Sequence, residues 1–155
     1  MSDFPRLDIT PFWATVNDDL ITIVDSIPDD KIDWSPKPEL WNFRGILLHI
    51  ASARDGWAGG AGVEDDAPNV WQTARSKDDI KAAFDRTWRR VARFLADPGR
   101  LDDEHTVVWS DGSRDERAAG HWIAFHLLEH DIHHRSDLLH YLALLGVPMP
   151  DVGPL

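Results

Sequence analysis

Five of the chain's eight histidines lie between His126 and His140, and this stretch holds the residues best suited to chemistry. Within it, His126, His130 and His134 follow one another at four-residue intervals, which places them on one face of an α-helix. Neutral imidazole is a common ligand of divalent metal ions, so His130 and His134 could share one ion. Stacked imidazoles on a buried face would leave ring nitrogens unpaired, at a cost of about 1–3 kcal/mol each, unless a cation, carboxylates or backbone carbonyls paired with them. The spacing therefore favours a metal site.

A third ligand has to come from another part of the chain. His49 is the only histidine before residue 105, and it flanks an apolar helical stripe in the segment GILLHIASA. A histidine at that position can face a neighbouring helix. Three histidines leave a fourth coordination position for water or substrate, which is typical of catalytic metal sites. For His105, His121 and His140 we expect ordinary packing or solvation.

Other motif interpretations of the histidine stretch are less specific. The segment His126–His130 matches the H-x-x-E-H pattern of inverted zinc proteases, with Glu129 as general base. Those enzymes need a further acidic ligand well downstream, and little chain remains. A ferritin-like di-iron site needs Glu-x-x-His on two helices, and Ile132 occupies the required histidine position. Asp137, one turn beyond His134, could orient an imidazole but is not expected to be a ligand.

Composition excludes several classes of function. The net charge of -11 provides no basic surface for nucleic acid, so DNA binding is not expected. The absence of cysteine excludes disulfides, thiolate metal sites and a nucleophilic cysteine, and it fits a cytoplasmic location. The N-terminus lacks the order of a signal peptide, and no apolar run could span a bilayer. The length of 155 residues suits a single domain over 1–155.

Helical periodicity predicts an all-α four-helix bundle, with helices over about 11–27, 42–57, 77–96 and 113–145. Asn42 is expected to cap the second helix, and Ser76 with Asp79 the third. Ser113 is expected to begin the last helix, which Gly120 could kink or split. The segment HTVVWSDGSR before it predicts a short hairpin with an Asp-Gly turn.

Three segments carry a family resemblance: the loop WSPKPELW, the helix LLHIASARDGW and the closing EHDIHHRSDLLHYLALLGVP. They resemble the DinB/YfiT-like superfamily of four-helix metal-binding proteins. The family's second-helix histidine falls on His49, and its H-x-x-x-H pair before an arginine falls on His130 and His134. His126 and His133 become neighbours of the site. The family commonly has Gly-Gln after that arginine, where this chain has Ser136-Asp137.

The resemblance implies a divalent ion, zinc or nickel, on three histidines of a bundle that often forms a homodimer. Characterised relatives include transferases and isomerases that use mycothiol, bacillithiol or glutathione. The leading interpretation is a metal-dependent transferase that activates a mycothiol-like low-molecular-weight thiol for attack on a small electrophilic substrate. A metal-dependent hydrolase, a non-catalytic metal-binding or small-ligand-binding protein, and a purely structural bundle remain open as alternatives.

Overall fold

The structure is a computed structural model that describes residues 7–109 and 115–153. In those ranges it contains six α-helices, one 3₁₀ turn and a two-stranded sheet. The elements are, in chain order, α1 (Thr10–Ser26), the 3₁₀ turn (Asp29–Lys31), α2 (Phe43–Gly60), α3 (Val70–Thr73), α4 (Lys77–Leu95), α5 (Pro98–Asp102), β1 (Glu104–Val107), β2 (Glu116–Ala119) and α6 (Gly120–Leu144).

The four long helices α1, α2, α4 and α6 form the bundle. Helices α1 and α2 lie diagonally opposite each other, and each packs against both α4 and α6. Apolar side chains from all four helices fill one core, whose fully enclosed members include Trp13, Leu47, Phe84 and Leu127. The predicted all-α four-helix bundle is confirmed, and it places α2 beside α6, the two helices that carry the candidate histidines.

Local sequence signals set most of the helix ends. The side chain of Asn42 accepts a hydrogen bond from the backbone N–H of Gly45 at 2.7 Å, as expected of an N-cap. Ser76 and Asp79 form a reciprocal capping box at the start of α4. Gly146 follows α6 with a φ of 70°, a left-handed conformation that glycine adopts without strain.

The predicted start of the last helix is wrong. Residues 116–119 form β2, which pairs antiparallel with β1, so α6 begins only at Gly120. Gly120 neither kinks nor splits the helix. A side chain at this position would collide with the backbone carbonyl oxygen of Arg100, so glycine permits a close approach to α5. The expected hairpin is present, whereas Ser113 and the expected Asp111-Gly112 turn lie outside the described residues.

Among the described residues, none of the helices combines the length and the apolar character that crossing a bilayer requires.

Candidate metal centre

The bundle brings His49, His130 and His134 together between α2 and α6. The Nε2 atoms of His49 and His130 are 2.8 Å apart. The ring centroids are separated by 4.7 Å for His49–His130, 5.0 Å for His49–His134 and 4.6 Å for His130–His134. One nitrogen from each ring lies within 4.8 Å of the other two. All three rings are partly shielded from solvent. We refer to these three residues as the histidine trio.

The chemistry of the trio fits a divalent ion. Two imidazole nitrogens 2.8 Å apart need either a proton or a cation between them. Nitrogens that share a tetrahedral zinc ion are about 3.3 Å apart, given Zn–N bonds of about 2.0–2.1 Å. Small rotations of the His49 and His130 rings would produce that separation. Three nitrogen donors from two helices suit zinc, nickel or copper better than magnesium or calcium, which prefer oxygen.

Electrostatics favour the neutral form of two rings of the trio, those of His49 and His134. Burial, together with repulsion from His130 and His134, lowers the pKa of His49 to about 4. Burial and the neighbouring His130 lower the pKa of His134, although Asp137 acts in the opposite direction. Neutral imidazoles retain a lone pair on one ring nitrogen, which is the form that binds metal ions.

Asp137 orients His134 from the solvent side of the trio. Its Oδ2 lies 3.0 Å from Nδ1 of His134, which directs the Nε2 lone pair of that ring away from the carboxylate. This contact has the geometry that an orienting role of Asp137 requires. His133 Nε2 lies 3.6 Å from the same Oδ2, but the His133 side chain is 62% exposed and points to solvent. His133 is therefore a neighbour of the trio on its exposed side.

His126 lies beside the trio and does not join it. Its ring is stacked on that of Trp122, with centroids 4.8 Å apart and planes 11° from parallel. Its centroid is 6.0 Å from that of His130. Glu129 is exposed and lies with Phe125 along an outward-facing groove of α6. The geometry therefore gives no support to the H-x-x-E-H interpretation, in which Glu129 would act as a general base beside the ion.

Exposed indole rings flank the trio on two sides. The ring of Trp41 stands edge-on to His49 at a centroid distance of 4.5 Å, and Trp71 stands edge-on to Trp41 at 6.2 Å. Trp122 lies on the other side, against His126. Trp41 and Trp122 are 49% and 47% exposed, although large aromatic side chains are usually more buried. Flat apolar surfaces thus border the histidines where solvent reaches them.

A buried polar cluster lies behind the trio, on the core side. Asp131 and Arg54 are both fully buried and form an ion pair between α6 and α2. Sequence reasoning missed this cluster. A signal was present, because Asp131 occupies the same helical stripe as the buried Leu127 and Leu138, where an acidic residue needs a buried partner. The partner, Arg54, is distant in sequence and could not be identified from spacing.

The remaining histidines follow the ordinary behaviour expected of them. His105 Nε2 lies 2.6 Å from the backbone carbonyl oxygen of Arg100, and His121 forms an exposed contact with Asp102. His140 is exposed at the surface of α6. None of these three contributes a ring nitrogen to the cluster that the trio forms.

Comparison with known proteins decides the family. A sequence model described as the DinB family matches residues 1–153. The chain belongs to the DinB family. No curated protein matches the sequence.

Solved structures of DinB-like proteins share the fold. One from Bacillus subtilis is 16% identical, with a TM-score of 0.66, and the alignment covers 92% of this chain and 94% of that one. One from Bacillus cereus is 15% identical, with a TM-score of 0.71 and the same coverage. A third structure, from Exiguobacterium sibiricum, is 18% identical, with a TM-score of 0.67 and coverage of 97% and 98%. At these low sequence identities, the three structures show that this chain shares their fold.

Proposed function

We propose that this DinB-family protein is a metal-dependent transferase that joins a low-molecular-weight thiol to a small electrophile. His49, His130 and His134 are the proposed ligands of one divalent ion, with zinc or nickel as the best candidates. The observation that carries the proposal is the convergence of three imidazoles from two helices, with the pKa values of His49 and His134 lowered by burial. Three protein ligands leave a coordination position for a reactant, unlike the closed four-ligand set of a structural site.

The chain's own residues prepare the site for this chemistry. Burial keeps His49 and His134 unprotonated, and Asp137 fixes the orientation of His134. When bound, a divalent ion supplies the positive charge that lowers the pKa of a coordinated thiol and stabilises its thiolate. The chain contains no cysteine, so the sulfur has to arrive with a cosubstrate. A mycothiol-like thiol is the leading candidate.

The exposed indoles beside the trio support a small organic electrophile as the second substrate. Trp41 borders His49, and Trp122 covers His126 on the opposite side. Planar apolar groups pack well against such rings, and their burial would contribute to binding. A substrate held there would have its reactive carbon close to the proposed ion.

A thiol-dependence screen tests the proposal. Zinc-loaded and nickel-loaded protein would be offered an activated chloroarene with mycothiol, bacillithiol, glutathione or no thiol. In the expected reaction the sulfur–carbon bond forms, chloride leaves with its electron pair, and the thiol proton passes to the buffer. We expect conjugate formation with one of the thiols, loss of that activity in His130→Ala, and retention in His133→Ala, the matched exposed histidine.

The alternatives give different results in the same screen. Equal consumption of an ester or amide probe with and without thiol would replace the transferase by a metal-dependent hydrolase. Protein that holds its ion tightly but turns over no electrophile with any of the thiols would be a non-catalytic metal-binding protein. Either result would contradict the proposed activity.

A further inference from the structure

Two buried polar atoms face each other beside the trio without making a hydrogen bond. They are Nδ1 of His130 and Oδ1 of Asp131, which lie 3.9 Å apart. Within the described part of the chain, neither atom has a hydrogen-bond partner. Buried donors and acceptors are nearly always paired in proteins, so two neighbouring unpaired atoms call for an explanation. Nδ1 is also the ring nitrogen of His130 that points away from His49.

Donors from two helices hold the Asp131 carboxylate, and all of them converge on its other oxygen. Oδ2 accepts hydrogen bonds from Nε1 of Trp13 at 2.7 Å and from Nε of Arg54 at 2.9 Å. Nη2 of Arg54 lies 2.7 Å from the same Oδ2 without being aligned for a hydrogen bond. Arg54 is itself held by Oδ1 of Asn17 at 2.8 Å. The carboxylate is therefore fixed through one oxygen, and the second oxygen is left for His130.

This arrangement differs from that of an ordinary buried ion pair. An arginine and a carboxylate that serve only stability commonly pair through both oxygens, in a two-pronged contact. Here Oδ1 of Asp131 receives nothing from Arg54. The free oxygen of a carboxylate held by a buried arginine consequently faces the ring of a proposed ligand.

We propose that Asp131 is a positioning residue, which accepts a hydrogen bond from Nδ1–H of His130 and fixes that ring in the tautomer whose lone pair lies on Nε2. The proposal requires a rotation of the His130 ring that closes the 3.9 Å separation. The same contact is already made at 3.0 Å between Asp137 and His134. Carboxylates behind ligating histidines commonly orient the ring and raise its basicity. The inference rests on the proposed metal site for its effect on affinity, but the tautomer can be measured without metal.

The variant Asp131→Asn provides the test because it keeps the size of the side chain and changes its donors. In the variant, the amide oxygen has to accept from Trp13 and Arg54, so the amide N–H₂ group faces Nδ1 of His130. A donor at that position selects the opposite tautomer, with hydrogen on Nε2, and such a ring cannot bind an ion through Nε2. We expect about a 10- to 100-fold increase in the zinc dissociation constant, measured by competition with a chromophoric chelator.

Nitrogen-15 NMR of the histidine rings gives a readout that a purely structural role would not change. In metal-free wild-type protein, His130 is expected as the Nδ1–H tautomer. In Asp131→Asn, it is expected as the Nε2–H tautomer. The wild-type measurement needs no variant, and far-UV circular dichroism and a thermal melt verify that the variant is folded.

Two results would overturn the inference: a wild-type His130 with its hydrogen on Nε2, or a folded Asp131→Asn protein with wild-type zinc affinity. If wild-type protein binds no zinc, the proposed metal function fails by itself. The tautomer of His130 in the metal-free protein still decides the role of Asp131 in that case, so the two failures can be told apart.

Discussion

The histidine trio has a core flank, formed by Asp131 and Arg54, and a solvent flank, formed by Asp137 and Trp41. The two flanks differ in their access to water. On the core side, Asp131 and Arg54 are fully buried, so every polar contact there has to come from the protein. On the solvent side, Asp137 has a 39% exposed side chain and Trp41 is about half exposed. Water can replace a lost contact on this side. The core flank can therefore fix geometry, and the solvent flank can admit a substrate.

The largest expected effect comes from removing a histidine of the trio itself. His49→Ala and His130→Ala should each abolish tight zinc binding, because two imidazoles do not make a stable site. Chelator competition and the zinc-induced rise in melting temperature measure this. His133→Ala, whose side chain lies on the solvent flank, should bind zinc as the wild type does. Wild-type affinity in both alanine variants of the trio would show that the ion binds elsewhere.

The buried ion pair of the core flank should contribute more to the free energy of unfolding than an exposed ion pair does. Arg54→Met leaves the buried Asp131 carboxylate without its counterion, and we expect the free energy of unfolding to fall by about 3–5 kcal/mol. Urea denaturation measures the change. The control is Arg117→Ala, which breaks an exposed ion pair with Glu104 and should cost about 0–1 kcal/mol. Similar decreases in the free energy of unfolding of the two variants would show that the buried ion pair stabilises the protein no more than the exposed one.

Acid should destabilise the metal-free protein through the trio. The pKa of His49 is about 4 in the folded state, and that of an unfolded histidine is about 6.5. The unfolded state therefore binds more protons between these values, and stability falls as pH decreases from about 6.5 to about 4. The lowered pKa of His134 acts in the same direction.

Urea midpoints measured across that pH range, with a chelator present, test this expectation. His49→Gln removes the titrating ring and should show a shallower decrease than the wild type, whereas the many carboxylates titrate alike in both proteins. Parallel curves for the two proteins would contradict a depressed pKa at His49.

The smallest effect is expected from the carboxylate on the solvent flank. Asp137→Asn should weaken zinc binding by less than about 10-fold, at the low end of what loss of such a carboxylate costs. Its oxygen can still accept from His134, and water reaches the position. Chelator competition on Asp137→Asn and Asp131→Asn in parallel would show which carboxylate contributes more to zinc affinity. A greater loss of zinc affinity in Asp137→Asn than in Asp131→Asn would show that the solvent flank, and not the core flank, fixes the geometry of the trio.

Local signals in the sequence predicted much of the fold. Asn42, the capping box at Ser76 and the terminal Gly146 each act within a few residues, so the helix ends they set could be predicted. The start of α6 could not be predicted in this way. Ser113 and Glu116 have the spacing of a helix start, but Glu116 belongs to β2, which pairs with a segment earlier in the chain. A non-local strand pairing thus outweighed a local capping pattern.

The same distinction applies to the site. Helical spacing predicted that His130 and His134 share a face, and the bundle brings His49 to them as expected. Spacing could not reveal that Asp131, adjacent to His130 in sequence, turns into the core and meets Arg54. That contact depends on which face of α6 is buried and on which helix lies opposite.

Metal stoichiometry decides whether the trio holds one divalent ion, as we propose. Wild-type protein and the variant His130→Ala would be loaded with zinc or nickel, dialysed extensively and assayed by elemental analysis. We expect one ion per chain in the wild type and none in the variant. Wild-type protein that retains no ion, or a His130→Ala variant that retains a full complement, would contradict this proposal.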